Sequence, residues 1–319
     1  MAALVRLRIV FGRLRPLLVA RNLVMAPRVL RFRGRMRELG TRRSVLRTLR
    51  HADFRVHSDE RPWLDREGSG AAIATDPRSA RVGEELRAKL KRWPEDGYMV
   101  LDGFFDPELI DRINGELASL IGSGALRFSR AGNRVRNAYR RSAAVAEAID
   151  DRGLRDLLGA ILGVPVGVWQ TISFFTGSRQ AAHSDAFHMM TEPRGYLVAI
   201  WVALEDITPD CGPVFYLPGS HRLPYVTTED LDGCEGSRLM VADKSSAYEA
   251  RIAEIAAASR IEPQQFLARK GDVLIWHANL LHGGSPIADP ELTRRSLVAH
   301  FYGEGAVRYH EIAEHLSLV

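Results

Sequence analysis

Hydrophobic positions beyond about residue 80 first recur at a helical spacing. Apolar residues stand three or four positions apart over about 82–92, 106–121 and 143–162, which predicts helices with one apolar face each. The second helix begins at Asp106-Pro107, where a capping Asp and a Pro at the first helical position are typical of a helix start. We therefore expect a helical support over residues 82–162.

From Val164 onwards the pattern changes to short runs rich in β-branched and aromatic residues, separated by turn-forming sequences such as Pro218-Gly219-Ser220. The predicted strands are Val166–Phe175, Tyr196–Leu204, Pro213–Leu217, Asp272–Leu281 and Ser296–Tyr302. Many short strands at such intervals are typical of a sandwich or barrel. We expect a mainly β fold with flanking helices, a β core over 164–310, and a helical insertion at about 244–258.

The N-terminal residues differ from the rest in charge. Residues 1–50 hold 14 arginines and a single acid, Glu38, whereas the whole chain carries a net charge of only +5. The remainder is therefore acidic, and the basic balance does not predict nucleic-acid binding by the folded part. We divide the chain into an arginine-rich arm over 1–55, a linker over 56–80 and a domain over 81–319.

The arm alternates arginines with apolar residues, and Pro16 and Pro27 interrupt any long helix. Three interpretations stay open: peripheral contact of residues 1–50 with an anionic membrane, a targeting presequence, and an extension, either poorly ordered or lying on the domain, that neutralises the acidic remainder. No apolar stretch is long enough for a membrane span, and arginines interrupt every candidate core of a secretory signal.

Composition narrows the class of protein. A chain of 319 residues with 46% hydrophobic and 26% charged residues can bury an ordinary core, which excludes a disordered or fibrous protein. Cys211 and Cys234 are too few for a disulfide framework or a cysteine metal cage. They favour reduced thiols and a cytoplasmic location, with peripheral membrane contact open through the arm.

Candidate metal ligands stand about a hundred residues apart. His183-Ser184-Asp185 places two side chains on one face of an extended strand, because residues i and i+2 share a face. A predicted strand from Gly271 leads into Leu280-Leu281-His282-Gly283, so His282 can complete a set of two histidines and one carboxylate. That set leaves coordination positions open and is typical of non-haem iron(II) oxygenases.

Arg294 begins the strand that follows His282 and returns through the predicted core. A buried guanidinium there presents a bidentate fork to a carboxylate, which is the recognition that a dicarboxylic cosubstrate requires. Arg295 alternates to the other face of this strand, so we expect one of the two arginines to point outward.

These residues together resemble the phytanoyl-CoA dioxygenase family of iron(II)/2-oxoglutarate oxygenases, over roughly Trp93 to His310. The motifs that carry the resemblance are Asp96-Gly97-Tyr98, Gly103-Phe104-Phe105, the H-x-D at His183, Trp201–Asp206, Gly212-Pro213, Pro218–His221, Gly271-Asp272, His282-Gly283 and Arg294. The resemblance implies a double-stranded β-helix, or jelly roll.

It also implies roles for particular residues. His183, Asp185 and His282 would bind iron, and Arg294 would hold the distal carboxylate of 2-oxoglutarate. Gln170 and Trp201 fall where relatives line the cosubstrate pocket. Many relatives have His-Gly-Ser where this chain has His282-Gly283-Gly284-Ser285, so the serine contact to 2-oxoglutarate is expected from Ser285, shifted by one position.

The implied activity is hydroxylation of a small molecule or lipid-like substrate with iron(II), 2-oxoglutarate and O2, releasing succinate and CO2. Relatives that halogenate give up the carboxylate ligand, so the presence of Asp185 favours hydroxylation. Two other classes stay open: a non-catalytic jelly-roll binding or scaffold protein, and a metal-dependent cupin-like enzyme that does not use 2-oxoglutarate.

Other histidines and arginines have competing interpretations. His277 is a rival metal ligand whose expected role is a hydrogen bond in the core, and His221 is expected to pack in a turn. His188 is expected either in the substrate pocket or in a loop. A cluster of arginines indicates either an anionic substrate or a solvated face. Its members are Arg127, Arg130, Arg134, Arg136, Arg140 and Arg141.

Overall fold

The architecture is that of a computed structural model, which describes residues 14–41, 44, 48–54, 61–129, 132–231, 241 and 243–317. Its α-helices are α1 (Arg15–Val24), α2 (Ala26–Leu30), α3 (Arg33–Glu38), α4 (Ser69–Ala72), α5 (Glu84–Leu90), α6 (Trp93–Asp96), α7 (Pro107–Gly122), α8 (Ala143–Ile149), α9 (Arg152–Leu162), α10 (Asp185–His188) and α11 (Ser245–Ser259). No helix within the described ranges is long and apolar enough to cross a bilayer.

The β-strands are β1 (Tyr98–Leu101), β2 (Arg134–Arg136), β3 (Val166–Phe174), β4 (Met190–Glu192), β5 (Leu197–Ala203), β6 (Val214–Tyr216), β7 (Gln264–Gln265), β8 (Val273–His277), β9 (His282–Gly284), β10 (Ser296–Gly303), β11 (Val307–His310) and β12 (His315–Leu316). They form a six-stranded sheet in the order β1-β8-β5-β10-β3-β2 and two three-stranded sheets, β12-β11-β4 and β7-β6-β9. Every pairing is antiparallel.

Alternation along β5 shows how the large sheet separates two cores. Val198, Ile200 and Val202 face the helices, in the same apolar cluster as Leu157 of α9. Trp201 and its alternate neighbours face the other way, in a cluster that includes Val214 and Tyr216 of β6. Both faces of the sheet are therefore covered, by helices on one side and by the small sheet on the other. The expected mainly β core with flanking helices is confirmed.

The expected helices and strands are present, with two differences. The stretch predicted as one helix over 143–162 is two helices, because Asp151 caps α9 by accepting a hydrogen bond of 2.8 Å from the backbone nitrogen of Leu154. The strand predicted over Asp272–Leu281 ends at His277, and His282 begins a separate strand in the small sheet. The helical insertion is α11.

Residues 61–80, the described part of the expected linker, belong to the main core. Trp63, Leu64 and Ile73 are buried in the same cluster as α9. The indole nitrogen of Trp63 donates to the carbonyl oxygen of Ala160 at 2.6 Å. The folded support therefore extends N-terminal to residue 82, because these apolar side chains fill the surface of α9 despite their polar surroundings.

The described part of the arm packs on the domain. Phe32, Met36 and Phe54 are buried in one cluster with Trp169 of β3 and Tyr309 of β11. Of the three interpretations of the arm, packing on the domain applies to these segments. Residues 1–13, 42–43, 45–47 and 55–60 of the arm and linker lie outside the described residues, as does Cys234.

Candidate metal centre and active site

His183, Asp185 and His282 meet at one point of the fold. Their ligand atoms lie within 4.8 Å of one another, and all three side chains are buried. Two backbone hydrogen bonds of 2.9 and 3.0 Å join His183 and His282 in a single antiparallel bridge. Asp185 is not on an extended strand, as the sequence analysis expected, but is the first residue of the short helix α10. The turn into this helix directs its carboxylate towards the two imidazoles.

Hydrogen bonds orient each of the three side chains. The Nδ1 atoms of His183 and His282 lie 2.9 and 3.0 Å from the carbonyl oxygens of Ala181 and Leu280. Since a carbonyl can only accept, each Nδ1 carries the proton and each Nε2 offers a lone pair. Such outer contacts are typical of histidines that bind metals.

The carboxylate of Asp185 is held through one oxygen. The indole nitrogen of Trp276 donates to Oδ2 at 2.8 Å, and Nε2 of His300 lies 3.3 Å from the same atom. Oδ1 stays directed to the histidines, 3.8 Å from Nε2 of His282. The donor set therefore fits a divalent metal, with one carboxylate oxygen and two imidazole nitrogens facing a common point.

Electrostatics favour the ligating forms. Burial, together with the neighbouring His282, lowers the pKa of His183 to about 3, so its imidazole is neutral at physiological pH. Burial alone would raise the pKa of Asp185, but the nearby His300 and His282 outweigh it and hold that pKa far below its ordinary value. A neutral imidazole and an ionised carboxylate are the states that bind a metal ion.

The triad opens into a cavity of about 500 Å³. Its wall includes Gln170, Ile172, Trp201, Trp276, Val298 and Arg294. That volume lies within the range of small-molecule sites. Apolar and aromatic side chains form much of the wall, so polar groups that reach the cavity are candidates for ligand contacts.

Arg294 is the most deeply buried charged group in this wall, with 1% of its surface exposed. Its guanidinium carbon lies 5.4 Å from the ring centre of Phe174 and 5.6 Å from that of Trp201. Burial lowers its pKa to about 10, so it remains charged at neutral pH. Nε is buried and has no hydrogen-bond partner among the described residues. A buried cation with an unfilled donor fits an anionic ligand, such as the carboxylate of 2-oxoglutarate.

The other predicted cosubstrate residues divide into two groups. Gln170 and Trp201 line the cavity as expected, and Nε2 of Gln170 lies 3.2 Å from the sulfur of Met189. Ser285 is not part of the wall: its hydroxyl accepts a hydrogen bond of 3.1 Å from Gln265. The expected contact of Ser285 with the cosubstrate is therefore not supported. Ser178 lines the cavity instead.

The competing histidines lie elsewhere, apart from His188, which lines the cavity. His277 is not a ligand of this centre, because its Nε2 lies 3.2 Å from Oδ2 of Asp65 and its Nδ1 accepts from the backbone of Asn279 at 3.0 Å. His221 packs against His277, with ring centres 5.3 Å apart. These positions agree with the expected structural roles of His277 and His221.

The two adjacent arginines point in opposite directions. Arg295 lies at the surface, 38% exposed, with its backbone nitrogen donating to Glu205 at 2.6 Å. His300, which the sequence analysis did not single out, lines the cavity with Arg294 and Val298. The alternation of β10 contains a signal for His300, since Val298 and His300 are two positions apart and share one face of the strand.

Comparison with known proteins gives the family. The family model for phytanoyl-CoA dioxygenase (PhyH) matches residues 93–296, more than half of the chain. An ectoine dioxygenase of Nocardia farcinica is 26% identical over 221 residues, which cover 64% of this chain and 73% of that protein. An ectoine dioxygenase of Sphingopyxis alaskensis is 26% identical over 249 residues, covering 72% of this chain and 78% of that protein.

Two solved structures share the fold. EctD from S. alaskensis with 2-oxoglutarate and 5-hydroxyectoine has a TM-score of 0.54 at 20% identity, covering 73% of this chain and 80% of that chain. The epimerase SnoN in complex with Fe3+, alpha-ketoglutarate and nogalamycin RO has a TM-score of 0.54 at 20% identity, covering 72% of this chain and 87% of that chain. The expected jelly-roll core is thereby confirmed. This chain belongs to the phytanoyl-CoA dioxygenase family of non-haem iron(II)/2-oxoglutarate-dependent dioxygenases.

Proposed function

We propose that this dioxygenase hydroxylates a small-molecule substrate, with iron(II), 2-oxoglutarate and O2 as cofactors and with release of succinate and CO2. The observation that carries the proposal is the presence in one cavity of a buried two-histidine, one-carboxylate centre and a buried arginine whose Nε has no hydrogen-bond partner among the described residues. A scaffold protein would use neither feature, and a metal-dependent cupin-like enzyme without 2-oxoglutarate would use the metal centre but not the arginine.

Different residues of this chain would bind the metal and the cosubstrate. His183, Asp185 and His282 would hold iron(II), and Arg294 would fix the far carboxylate of 2-oxoglutarate. Iron(II) and 2-oxoglutarate, when bound, would activate O2, which is the oxidant for the C–H bond. Trp201 and the apolar wall exclude water, which strengthens the charge interactions within the cavity.

Retention of Asp185 favours hydroxylation over halogenation. A carboxylate that occupies a coordination position leaves less room for a halide there. Trp276 and His300 hold this carboxylate in place through its second oxygen, so the position is built for an acid rather than left to solvent.

The test is an anaerobic titration of the full-length protein with iron(II) and 2-oxoglutarate. We expect the weak visible charge-transfer band of a keto acid chelated to iron(II), lost in His183→Ala and kept in His277→Ala, which replaces a buried histidine outside the centre. Failure of the wild-type protein to form the band while folded and metal-bound would overturn the proposal. A screen for succinate release then finds the substrate, with ectoine in the panel because ectoine dioxygenases are among the relatives.

We also propose that the arm brings the enzyme against an anionic membrane surface. Large apolar side chains are exposed along α1 and α2: Leu17 is 46%, Leu23 54%, Val24 81% and Leu30 47% exposed. Within the described ranges only three other large apolar side chains, Phe128, Leu267 and Leu292, are more than a third exposed. The charged side chains of these helices are all arginines, whose sign suits anionic headgroups.

The same helices are anchored to the domain on their other side. Leu18 is buried, Arg15 forms an ion pair of 2.8 Å with Glu314, and Arg21 donates to the carbonyl oxygen of Leu316 at 3.3 Å. Insertion of the exposed residues would therefore hold the whole domain at the surface.

Sedimentation with vesicles tests this second proposal. Full-length protein should pellet with phosphatidylserine-containing vesicles, and Leu23→Ser/Val24→Ser should pellet at least about fivefold less. The matched control is Leu267→Ser/Leu292→Ser, which removes exposed leucines outside the arm. Equal pelleting of the two double variants, or no pelleting of the wild type, would rule the membrane role out.

A further inference from the structure

Helix α11, the predicted insertion, contacts the segment that carries two of the metal ligands. Of its 15 residues only Tyr248 and Ile252 are buried. Tyr248 is 2% exposed, and its ring stacks on that of Phe187 in α10, with ring centres 3.9 Å apart and an angle of 3° between the planes. Tyr248 is therefore the main side chain through which α11 attaches to the active-site region.

The hydroxyl of Tyr248 bonds the backbone of Ser184, the residue between the two metal ligands His183 and Asp185. It accepts a hydrogen bond of 2.8 Å from the Ser184 nitrogen and lies 3.2 Å from the Ser184 carbonyl oxygen, to which it donates. Ser184 is only 3% exposed, and no other acceptor among the described residues bonds its nitrogen. Because a hydroxyl can donate and accept at once, one side chain fixes both backbone polar groups of Ser184.

Helix α10 depends on such outside support. It has four residues, which is far too short for a helix to be stable in isolation. Its first residue, Asp185, is a metal ligand, and its last, His188, lines the cavity. Tyr248 holds this helix at two points, through its hydroxyl at Ser184 and through its ring at Phe187. A shift of α10 would therefore move a metal ligand and a cavity residue together.

The start of α11 is fixed in turn by a buried ion pair. Lys244, the residue before the helix, lies 2.9 Å from Glu314, and both side chains are 2% exposed. The carbonyl oxygen of Lys244 accepts a hydrogen bond of 2.9 Å from the backbone nitrogen of Tyr248. Breaking a buried ion pair is strongly unfavourable, so the turn that presents Tyr248 is held in place. Arg15 of the arm binds the other oxygen of Glu314 at 2.8 Å, so the arm and α11 share one anchor.

We propose that Tyr248 is a positioning residue of the metal centre. Its hydroxyl holds the backbone of Ser184 so that the two flanking ligands face the metal. This inference rests on the proposed dioxygenase function and adds a residue to its site. Packing alone does not require the hydroxyl, because a phenylalanine would form the same stack on Phe187. A buried hydroxyl is costly unless it is hydrogen-bonded, and here both of its bonds go to the residue between two ligands.

Tyr248→Phe tests this role, because it keeps the ring and removes the hydroxyl. We expect iron(II) to bind the full-length variant at least about fivefold more weakly than the wild type, since the buried N–H of Ser184 loses its acceptor. Affinity is measured anaerobically by competition with a chelator. The matched control is Tyr309→Phe, which removes a fully buried hydroxyl that donates to Glu192 at 3.0 Å, outside the centre. Its iron(II) affinity should stay within about twofold of the wild type.

Hydrogen exchange of the metal-free proteins gives a second measurement. Peptides that cover residues 183–188 should exchange at least about fivefold faster in Tyr248→Phe than in the wild type, and at the wild-type rate in Tyr309→Phe. A merely structural role of Tyr248 would lower the free energy of unfolding in urea without separating the iron(II) affinities of the two variants. Equal iron(II) affinity in Tyr248→Phe and Tyr309→Phe would therefore overturn the proposal.

Failure of the proposed function gives a different result. A wild-type protein that binds iron(II) but forms no charge-transfer band with 2-oxoglutarate contradicts the dioxygenase, while the comparison of iron(II) affinities still decides the role of Tyr248. A folded wild-type protein that binds no iron(II) overturns the metal centre and this role together.

Discussion

Trp276 offers a direct test of how the metal ligands are held. Its indole nitrogen donates to Oδ2 of Asp185 at 2.8 Å, and its ring lies 4.5 Å from that of His282. Trp276→Phe keeps an aromatic ring against the histidine but removes the donor. The carboxylate then loses one of its two fixed contacts and retains only His300, at 3.3 Å.

The expected loss follows from the strength of that hydrogen bond. A hydrogen bond to a charged group contributes about 1.5–3 kcal/mol, and each 1.4 kcal/mol corresponds to about a tenfold change in affinity. Iron(II) binding should therefore weaken by about 10- to 100-fold in Trp276→Phe, the range typical when the outer contacts of metal ligands are removed. The remaining contact from His300 places the effect nearer the lower bound.

Trp93→Phe is the matched control. Trp93 is 1% exposed and Trp276 2%, but the indole nitrogen of Trp93 has no hydrogen-bond partner within the described residues. Both variants lose the same volume from a core, and only Trp276→Phe loses a bond to the centre. Iron(II) affinity is measured anaerobically by competition with a chelator, and the free energy of unfolding of each apo variant by urea. Equal iron(II) affinity in Trp276→Phe and Trp93→Phe would refute the view that Trp276 positions Asp185.

Three further outcomes follow from single contacts. Arg294→Gln should raise the dissociation constant of 2-oxoglutarate by at least about 100-fold, since breaking a buried charge pair costs about 3–5 kcal/mol. The surface variant Arg295→Gln should change that constant less than about twofold. Similar effects of the two variants in the band titration would argue against the role of Arg294. Gly271→Ala should destabilise the fold by at least about 2 kcal/mol in urea unfolding, because Gly271 has φ +94° and an added methyl group would overlap a backbone carbonyl. The control Gly122→Ala, at an open helical position, should not destabilise the fold. Burial, aided by a neighbouring histidine, lowers the pKa of His221 to about 3. Between about pH 6.5 and pH 3 the unfolded chain therefore takes up a proton at this residue that the folded chain does not. The free energy of unfolding should fall as the pH is lowered through that range. A pH dependence of unfolding that is the same in His221→Gln as in wild type would exclude that contribution.

The β core was largely predictable because the large sheet is covered on both faces. A strand buried on both faces must be apolar almost throughout, so β5 and β8 read as continuous hydrophobic runs bounded by turns. The turn before β8 was predictable in the same way. In the structure Gly271 has a positive φ, and Asp272 accepts hydrogen bonds of 2.7 Å from the backbone nitrogens of Gly103 and Arg269. What periodicity could not show is the break after His277, where the strand leaves one sheet and His282 enters another.

The metal ligands were predictable from the sequence, but the hydrogen bonds that hold them in place were not. His183, Asp185 and His282 follow from ligand types and motif context, but the hydrogen bond from Trp276 to Asp185 joins residues 91 positions apart. Such a contact depends on the register of strands across the core, which local pattern does not encode. Ser285 shows the converse: a motif match one position out of step predicted a contact with the cosubstrate, but the Ser285 hydroxyl lies outside the cavity wall and accepts a hydrogen bond from Gln265.

The arm and the linker were the least predictable segments because their anchors are few and widely spaced. Residues 61–80 contribute Trp63, Leu64 and Ile73 to the main core, and the polar residues between them suffice to make the composition resemble a linker. Each anchor buries a large apolar surface worth about 1.5–3 kcal/mol, so three of them can order a segment whose average hydropathy is low. Such a segment is ordered when the domain presents a surface on which its apolar residues can pack. Helix α9 presents one, and the carbonyl oxygen of Ala160 in this helix accepts a hydrogen bond from Trp63. The same reasoning applies to the arm: its buried residues attach it to the domain, while its exposed leucines lie outside those contacts and carry the membrane role proposed for it.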